Sequence, residues 1–215
     1  MSSLVFFHHA MVGFYERSGR AFPWRASTDP YAVLVSEVLL QRTRGENVVP
    51  VYQELLRRWP DPQRLSRARI ATIEQVIRPI GLAKRASTLK ALGGAMVDLG
   101  GVPRSPTELQ KLPGIGPYGA HAVPVFAFGD DLPVVDWVIA RVLRRYFGLS
   151  SRARPNSDGE LWDLATELAL LGSSRSLWLG TLDFAAEICV PTPKCERCPI
   201  STSCRSAFGD PPGTR

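Results

Sequence analysis

The chain has 215 residues, 45% of them hydrophobic, enough for one large domain or two small ones around a full core and too apolar for a disordered chain. No apolar run approaches the roughly 20 residues of a membrane span. The N-terminal MSSLVFFHHAMVGFYERSGR lacks the basic start and cleavage site of a signal peptide, so a cytoplasmic protein is expected. The formal charge is +6, carried by 22 Arg and 4 Lys; it favours a polyanionic partner, although many basic proteins bind no nucleic acid.

Helical periodicity dominates and strand-like alternation is scarce, so an all-α fold is expected. The first predicted helix, roughly 3–18, is amphipathic. After Phe22-Pro23-Trp24 comes a helix predicted over 31–44, which is apolar nearly all round and so should be buried. It carries Glu37. A carboxylate in such a helix is either a structural ion pair with an arginine or a general acid whose pKa is raised by apolar surroundings.

Helices follow at about 46–58, 63–67, 70–78 and 84–99, with breaks at Trp59-Pro60 and Pro79-Ile80-Gly81. A short helix at 106–111 leads into Leu112-Pro113-Gly114-Ile115-Gly116-Pro117-Tyr118-Gly119-Ala120. This reads as a helix, a glycine hairpin and a second helix, 117–128. Gly114 and Gly116 permit φ > 0 and close approach of a partner, and Pro117 suits the first turn of a helix. The unpaired N–H groups of hairpin and helix start would grip a phosphate. The alternative is a plain helix–helix turn. Pro124 should bend or end the second helix.

Asp136 opens the next helix, 136–147. As an N-cap it accepts backbone N–H groups and should stay ionised. An ionised Asp beside a protonatable Glu is the pairing expected for breaking a glycosidic bond through an oxocarbenium-like transition state. Two more helices are predicted at 158–171 and 175–187, and then an irregular loop carries all four cysteines. Cys189, Cys195, Cys198 and Cys204 fall within sixteen residues, spaced C-x5-C-x2-C-x5-C. Disulfides do not suit a cytoplasmic chain of this size. Four thiolates on one loop fit tetrahedral zinc or a [4Fe–4S] cluster. Lys194, Arg197 and Arg205 add positive charge around them.

Taken in order, Phe22-Pro-Trp-Arg25, Asp29-Pro-Tyr31, Ser36-Glu-Val-Leu-Leu-Gln-Arg-Thr43, Ile80-Gly-Leu82, the hairpin 112–120, Val135-Asp136, Arg141-Val142 and the four Cys resemble the helix-hairpin-helix DNA glycosylase superfamily. The resemblance is to its iron–sulfur branch, which holds endonuclease III, the MutY-type adenine glycosylases and the Mig-type thymine/uracil mismatch glycosylases. It spans Phe22 to Cys204.

The resemblance implies two helical domains with the active site in the cleft between them: a six-helix barrel bearing the hairpin, residues 25–130, and a cluster domain, residues 1–24 plus 131–215. It favours the [4Fe–4S] cluster over zinc as cofactor. It implies a double-stranded DNA partner containing a mismatched or damaged base, a monomeric enzyme, and a target nucleotide flipped out of the stack. Gln41, Arg42 and Leu82 would fill the gap, Leu82 as an apolar wedge or else as an ordinary helix-cap contact. Gly114, Gly116, Lys194 and Arg197 would meet DNA. Asp136, Glu37 and Tyr118 would be catalytic.

Tyr118 stands where the lyase-competent relatives have the Schiff-base Lys, which implies a monofunctional glycosylase. Three features lean toward the Mig-type: the chain stops at Arg215 without room for the MutY-type C-terminal domain, Ile80-Gly-Leu-Ala83 lacks an aromatic wedge, and Arg42 replaces a second Gln. The expected substrate is thymine or uracil opposite guanine. The alternatives are a MutY-type adenine glycosylase without its C-terminal domain and a non-catalytic DNA-binding module. Two departures stand out. Trp137 and Val138 follow Asp136 where relatives have a small residue and then Asn or His, and the first cysteine interval is one residue shorter than the common six.

Overall fold

The computed structural model describes residues 2–207. In chain order its α-helices are α1 (Ser3–Ser18), α2 (Pro23–Ala26), α3 (Pro30–Leu40), α4 (Gly45–Arg58), α5 (Pro62–Arg67), α6 (Ile70–Ile77), α7 (Ala86–Asp98), α8 (Pro106–Leu109), α9 (Pro117–Val123), α10 (Trp137–Phe147), α11 (Gly159–Ala169) and α12 (Ser174–Glu187). No strand occurs among the described residues, and no helix there is long and apolar enough to cross a membrane. The chain divides into two compact units, one from Met1–Arg20 with Gly129–Arg215, the other Ala21–Phe128.

Helix starts follow a local rule. Asp29, Asp61, Asp136 and Asp158 each cap a helix by accepting a backbone N–H through the carboxylate. Pro30 and Pro62 follow two of these caps at the first helical position, where a missing N–H costs nothing.

In the unit Ala21–Phe128, every residue of α3 from Tyr31 to Leu39 is buried. The helix packs against α4 and α9. Around it α5 and α6 pack on α7, and α8 on α9. The Tyr31 hydroxyl donates to the Trp59 carbonyl at 2.7 Å, tying α3 to the end of α4.

Helix α3 ends at Leu40, short of the predicted 44, for a tertiary reason. Arg85 Nη1 donates to the carbonyls of Val38 at 2.8 Å and Gln41 at 3.0 Å, satisfying the helix end from across the fold. Helix α9 stops at Val123 rather than 128. Pro124 brings no N–H to the ladder, and the chain continues as a wider π turn over Pro124–Phe128. Helix α2 has no counterpart among the predicted helices; its four residues are too few to show periodicity.

In the other unit α1 lies along α12, and α10 and α11 pack against the same helix. Phe7, Met11 and Trp178 are fully buried there, and the rings of Phe14 and Phe184 meet edge to face. The approach of α1 to α12 is close enough that a Cβ at Gly180 would strike the Met11 carbonyl, so only glycine fits. The Asp183 carboxylate, 2% exposed, accepts from the backbone N–H of Arg20 at 2.9 Å and from its Nε. That pair fastens the chain just past α1 to α12. The loop after α12 holds two short 3₁₀ turns, Cys195–Arg197 and Ser201–Ser203, within an otherwise irregular path.

Candidate active site

Asp136 ends an extended segment anchored by Val134 and Val135, both fully buried. It caps α10 through one oxygen. Oδ1 accepts from the N–H of Val138 at 2.8 Å and of Ile139 at 2.7 Å, which leaves Oδ2 for another positive or polar group. Burial pushes the carboxyl above the usual carboxylate value; the N–H groups of Ile139 and Val138 and the Arg141 guanidinium pull the other way and do not fully compensate. Asp136 is the N-cap that the sequence predicts, and desolvation is the largest influence on its carboxyl. Trp137, the first residue of α10, is 64% exposed.

The same helix grips the cysteine loop. Arg141 donates to the carbonyls of Cys189 at 3.0 Å and Ala185 at 3.2 Å. Arg145, 3% exposed, donates to the carbonyls of Val190 at 2.7 Å and Pro191 at 2.8 Å, and reaches the Cys189 sulfur at 3.6 Å. The Arg145 carbonyl in turn accepts from Ser206 Oγ at 2.8 Å and Cys204 Sγ at 3.5 Å. Arg141 and Arg145 are four apart, hence on one face of α10. That spacing was the available signal for them, and reading the arginines as bulk charge passes over Arg145.

Cys189, Cys195, Cys198 and Cys204 are all free thiols. The four line a single cavity together with Val142, Arg145, Ile188, Lys194 and Ile200. Among the described residues no group of three or more His, Cys, Asp or Glu side chains is arranged to hold one metal ion. Lys194 and Arg197 are exposed on the same loop.

In the other unit, Glu37 is 7% exposed within α3, with Ser36 and Val38 each at 1%. One turn on, Gln41 Nε2 donates to the Gly114 carbonyl at 2.8 Å, joining the α3–α4 loop to the hairpin. Gln41 is half-buried, and its amide is engaged by the protein itself. Arg42 is exposed and holds a left-handed backbone, φ 61°, an uncommon conformation for a side-chain-bearing residue. Leu82 is half-buried between two single 3₁₀ turns, directly after the left-handed Gly81.

The two hairpin glycines differ. Gly114 has φ +80°, and a Cβ there would lie 2.6 Å from Thr88 Cγ2. Gly116, expected to share the positive φ, is extended at φ −97° and has open space where a Cβ would be. The fold explains Gly114 and leaves Gly116 unexplained. Tyr118 is half-buried in the first turn of α9, after Pro117.

The model of the HhH-GPD superfamily base excision DNA repair protein matches residues 35–166, a span that includes Glu37, the hairpin, Tyr118 and Asp136. The chain belongs to the HhH-GPD superfamily. It is 38% identical over 205 residues to a thymine/uracil-DNA glycosylase of Pyrobaculum aerophilum, covering 92% of this chain and 89% of that relative. It is 32% identical over 221 residues to the adenine DNA glycosylase of Homo sapiens, covering 96% of this chain but 40% of the human protein. The solved structure of a thermostable thymine-DNA glycosylase superposes with a TM-score of 0.89 at 36% identity, covering 94% of this chain and 95% of the other. This HhH-GPD member thus matches thymine/uracil glycosylases along nearly their whole length.

Proposed function

We propose that this chain is a monofunctional DNA glycosylase of base excision repair that releases thymine or uracil opposite guanine. The single observation that carries the reading is the Asp136 carboxylate, pinned through Oδ1 on the first turn of α10 with Oδ2 left for the substrate. The likeness to thymine/uracil-DNA glycosylases supports the choice of base. The enzyme acts as a monomer in the cytoplasm on double-stranded DNA.

As the bond from C1′ to the base lengthens, the electron pair leaves with the base and positive charge builds on the sugar. Asp136, ionised, stabilises that charge. Glu37 contacts the departing base and supplies its proton. Water adds to C1′, its proton passes to solvent, and an intact abasic strand remains. Tyr118 contacts the flipped nucleotide and offers no amine for a Schiff base. Because Asp136 must be ionised and burial raises its pKa, the rate falls on the acid side at a pH above that of an ordinary Asp.

Lys194 and Arg197 meet the DNA backbone, as do Gly114 and Gly116, while Gln41, Arg42 and Leu82 occupy the vacated stack. The residues 25–130 serve as the hairpin-bearing barrel and the remainder as a cluster domain. Cys189, Cys195, Cys198 and Cys204 hold a [4Fe–4S] cluster. Four thiols lining one cavity supply the donor set that such a cluster takes. When bound, the cluster supplies a structural cross-link for the loop that presents Lys194 and Arg197.

The test is a panel of duplexes with G·T, G·U, A·G and A opposite oxidised guanine, read by alkaline cleavage after incubation. Cutting of G·T or G·U is expected, and no covalent complex is trapped by borohydride at stoichiometric yield. Cutting of the adenine substrates alone would establish the adenine-glycosylase alternative, to which the more distant likeness to the human enzyme corresponds. Tight, salt-dependent binding with no base release on any duplex would leave the DNA-binding module.

The hairpin gives a second prediction. Gly114→Ala is expected to cost about 1–3 kcal/mol of stability, because the left-handed backbone is strained with a side chain. Gly116→Ala is expected to leave denaturant unfolding unchanged and to weaken duplex binding, since no protein atom crowds the position and the DNA backbone would approach it there. Equal DNA affinity for wild type and Gly116→Ala would remove the hairpin from the interface.

A further inference from the structure

Five tryptophans are present, and four are accounted for by the fold. Trp24, Trp59 and Trp178 are at most 8% exposed. The indole of Trp178 donates to the Leu132 carbonyl at 2.8 Å, and that of Trp162 to the Pro155 carbonyl at 2.9 Å. Trp137 differs. At 64% exposure it is the one aromatic among the exposed large hydrophobic residues of the described chain. Among the described residues no hydrogen bond or ring contact engages its indole.

Its position is tightly defined. The residue before it is Asp136, and the amides of the two residues after it bond that carboxylate at 2.8 and 2.7 Å. The backbone carrying the indole is therefore held by the same bonds that hold the carboxylate. A nucleotide whose sugar meets Asp136 Oδ2 brings its base within the reach of the adjacent residue, since consecutive Cα atoms are about 3.8 Å apart. An indole is the side chain best suited to stack on a base of any sequence. It sits at the start of α10, where the helix dipole favours the nearby phosphate.

We propose that Trp137 stacks on the extrahelical base of bound DNA and holds that base out of the duplex. The inference rests on Asp136 meeting the sugar of the same nucleotide. It makes Trp137 a base-binding residue of the ground-state complex. Its loss raises KM more than it lowers kcat.

The experiment compares two duplexes opposite the same guanine. One carries the target thymine or uracil as a 2′-fluoro nucleotide that resists hydrolysis, the other a tetrahydrofuran abasic analogue. Trp137→Ala is expected to raise the Kd for the base-bearing duplex by about 5–150-fold, the range for one base–aromatic stack. It should leave the Kd for the abasic analogue unchanged. Trp137→Phe should recover most of the affinity. Tryptophan fluorescence of the wild type should be quenched by the base-bearing duplex and not by the analogue, and Trp137→Phe should lose that quench. Equal losses on both duplexes would assign Trp137 to the DNA backbone, and no loss on either would leave it without a role; both overturn the inference. Failure of the enzymatic reading is separate, because it shows as a wild type that releases no base from any duplex in the panel.

Discussion

Asp136→Asn is expected to lower the single-turnover rate of base release by about 10²–10³-fold or more, while its thermal midpoint at neutral pH equals or exceeds that of the wild type. The two halves of this result have one cause. Asparagine keeps an oxygen to accept from Val138 and Ile139 and caps α10 about as well as aspartate. It cannot carry the charge that an oxocarbenium-like sugar requires.

Burial raises the folded-state pKa of Asp136 above its unfolded value, so ionisation costs native stability. The contribution of this group is therefore fully present below the unfolded value, about 3.9, and is lost as pH rises through the raised folded value. Asparagine never ionises. The midpoint difference between variant and wild type should accordingly be smallest in acid and grow toward neutrality. Thermal unfolding at a series of pH values checks the sign. A variant that is less stable at neutral pH than in acid, relative to wild type, would show that the amide donors outweigh desolvation. Full activity in Asp136→Asn would falsify the mechanism itself.

The second large effect lies in the cysteine loop. Protein purified without oxygen is expected to be brown, with about four irons per chain. Cys198→Ser is expected to abolish the colour and lower the thermal midpoint by about 10 °C or more. Much of the loop from Cys189 to Ala207 is exposed or half-buried; Ile200 and Ser206 are its buried residues. What else holds it is the set of hydrogen bonds from Arg141 and Arg145 to the carbonyls of residues 189–191, together with those running back to the end of α10. Iron and zinc analysis decides the metal. Colourless protein with one zinc per chain and unaltered stability on iron chelation would establish the zinc alternative.

The helix that begins at Asp136 serves both predictions. Its first turn shapes the carboxylate and its second and third turns clamp the cysteine loop, with Arg141 facing both. Each half of that arrangement has a different origin. The Asp136 cap could be read in the sequence because its partners are two and three residues away. The clamp could not, because Arg145 meets carbonyls 45 and 46 residues further on.

The same division runs through the unit Ala21–Phe128. The burial of Glu37 follows from the continuous apolar stretch around it, and the structure leaves that residue 7% exposed. The early end of α3 does not follow from local pattern. Arg85, 44 and 47 residues away, supplies the donors that finish the helix, and Gln41 turns to the hairpin carbonyl 73 residues on. Gly114 and Gly116 look equivalent in Leu112-Pro-Gly-Ile-Gly116, yet one is left-handed and the other extended.

By itself, then, the sequence determined the all-helical class, the capped start at Asp136, the spacing of the four thiols and the candidate acids. These depend on interactions within about four residues or on residue type alone, and such interactions survive in the order of the chain. Only the tertiary structure decided the raised pKa of Asp136, the arginine clamp on the cysteine loop, the open space at Gly116 and the exposure of Trp137. Each of these is set by which groups surround a residue once distant segments have packed, and desolvation has no value until that packing exists.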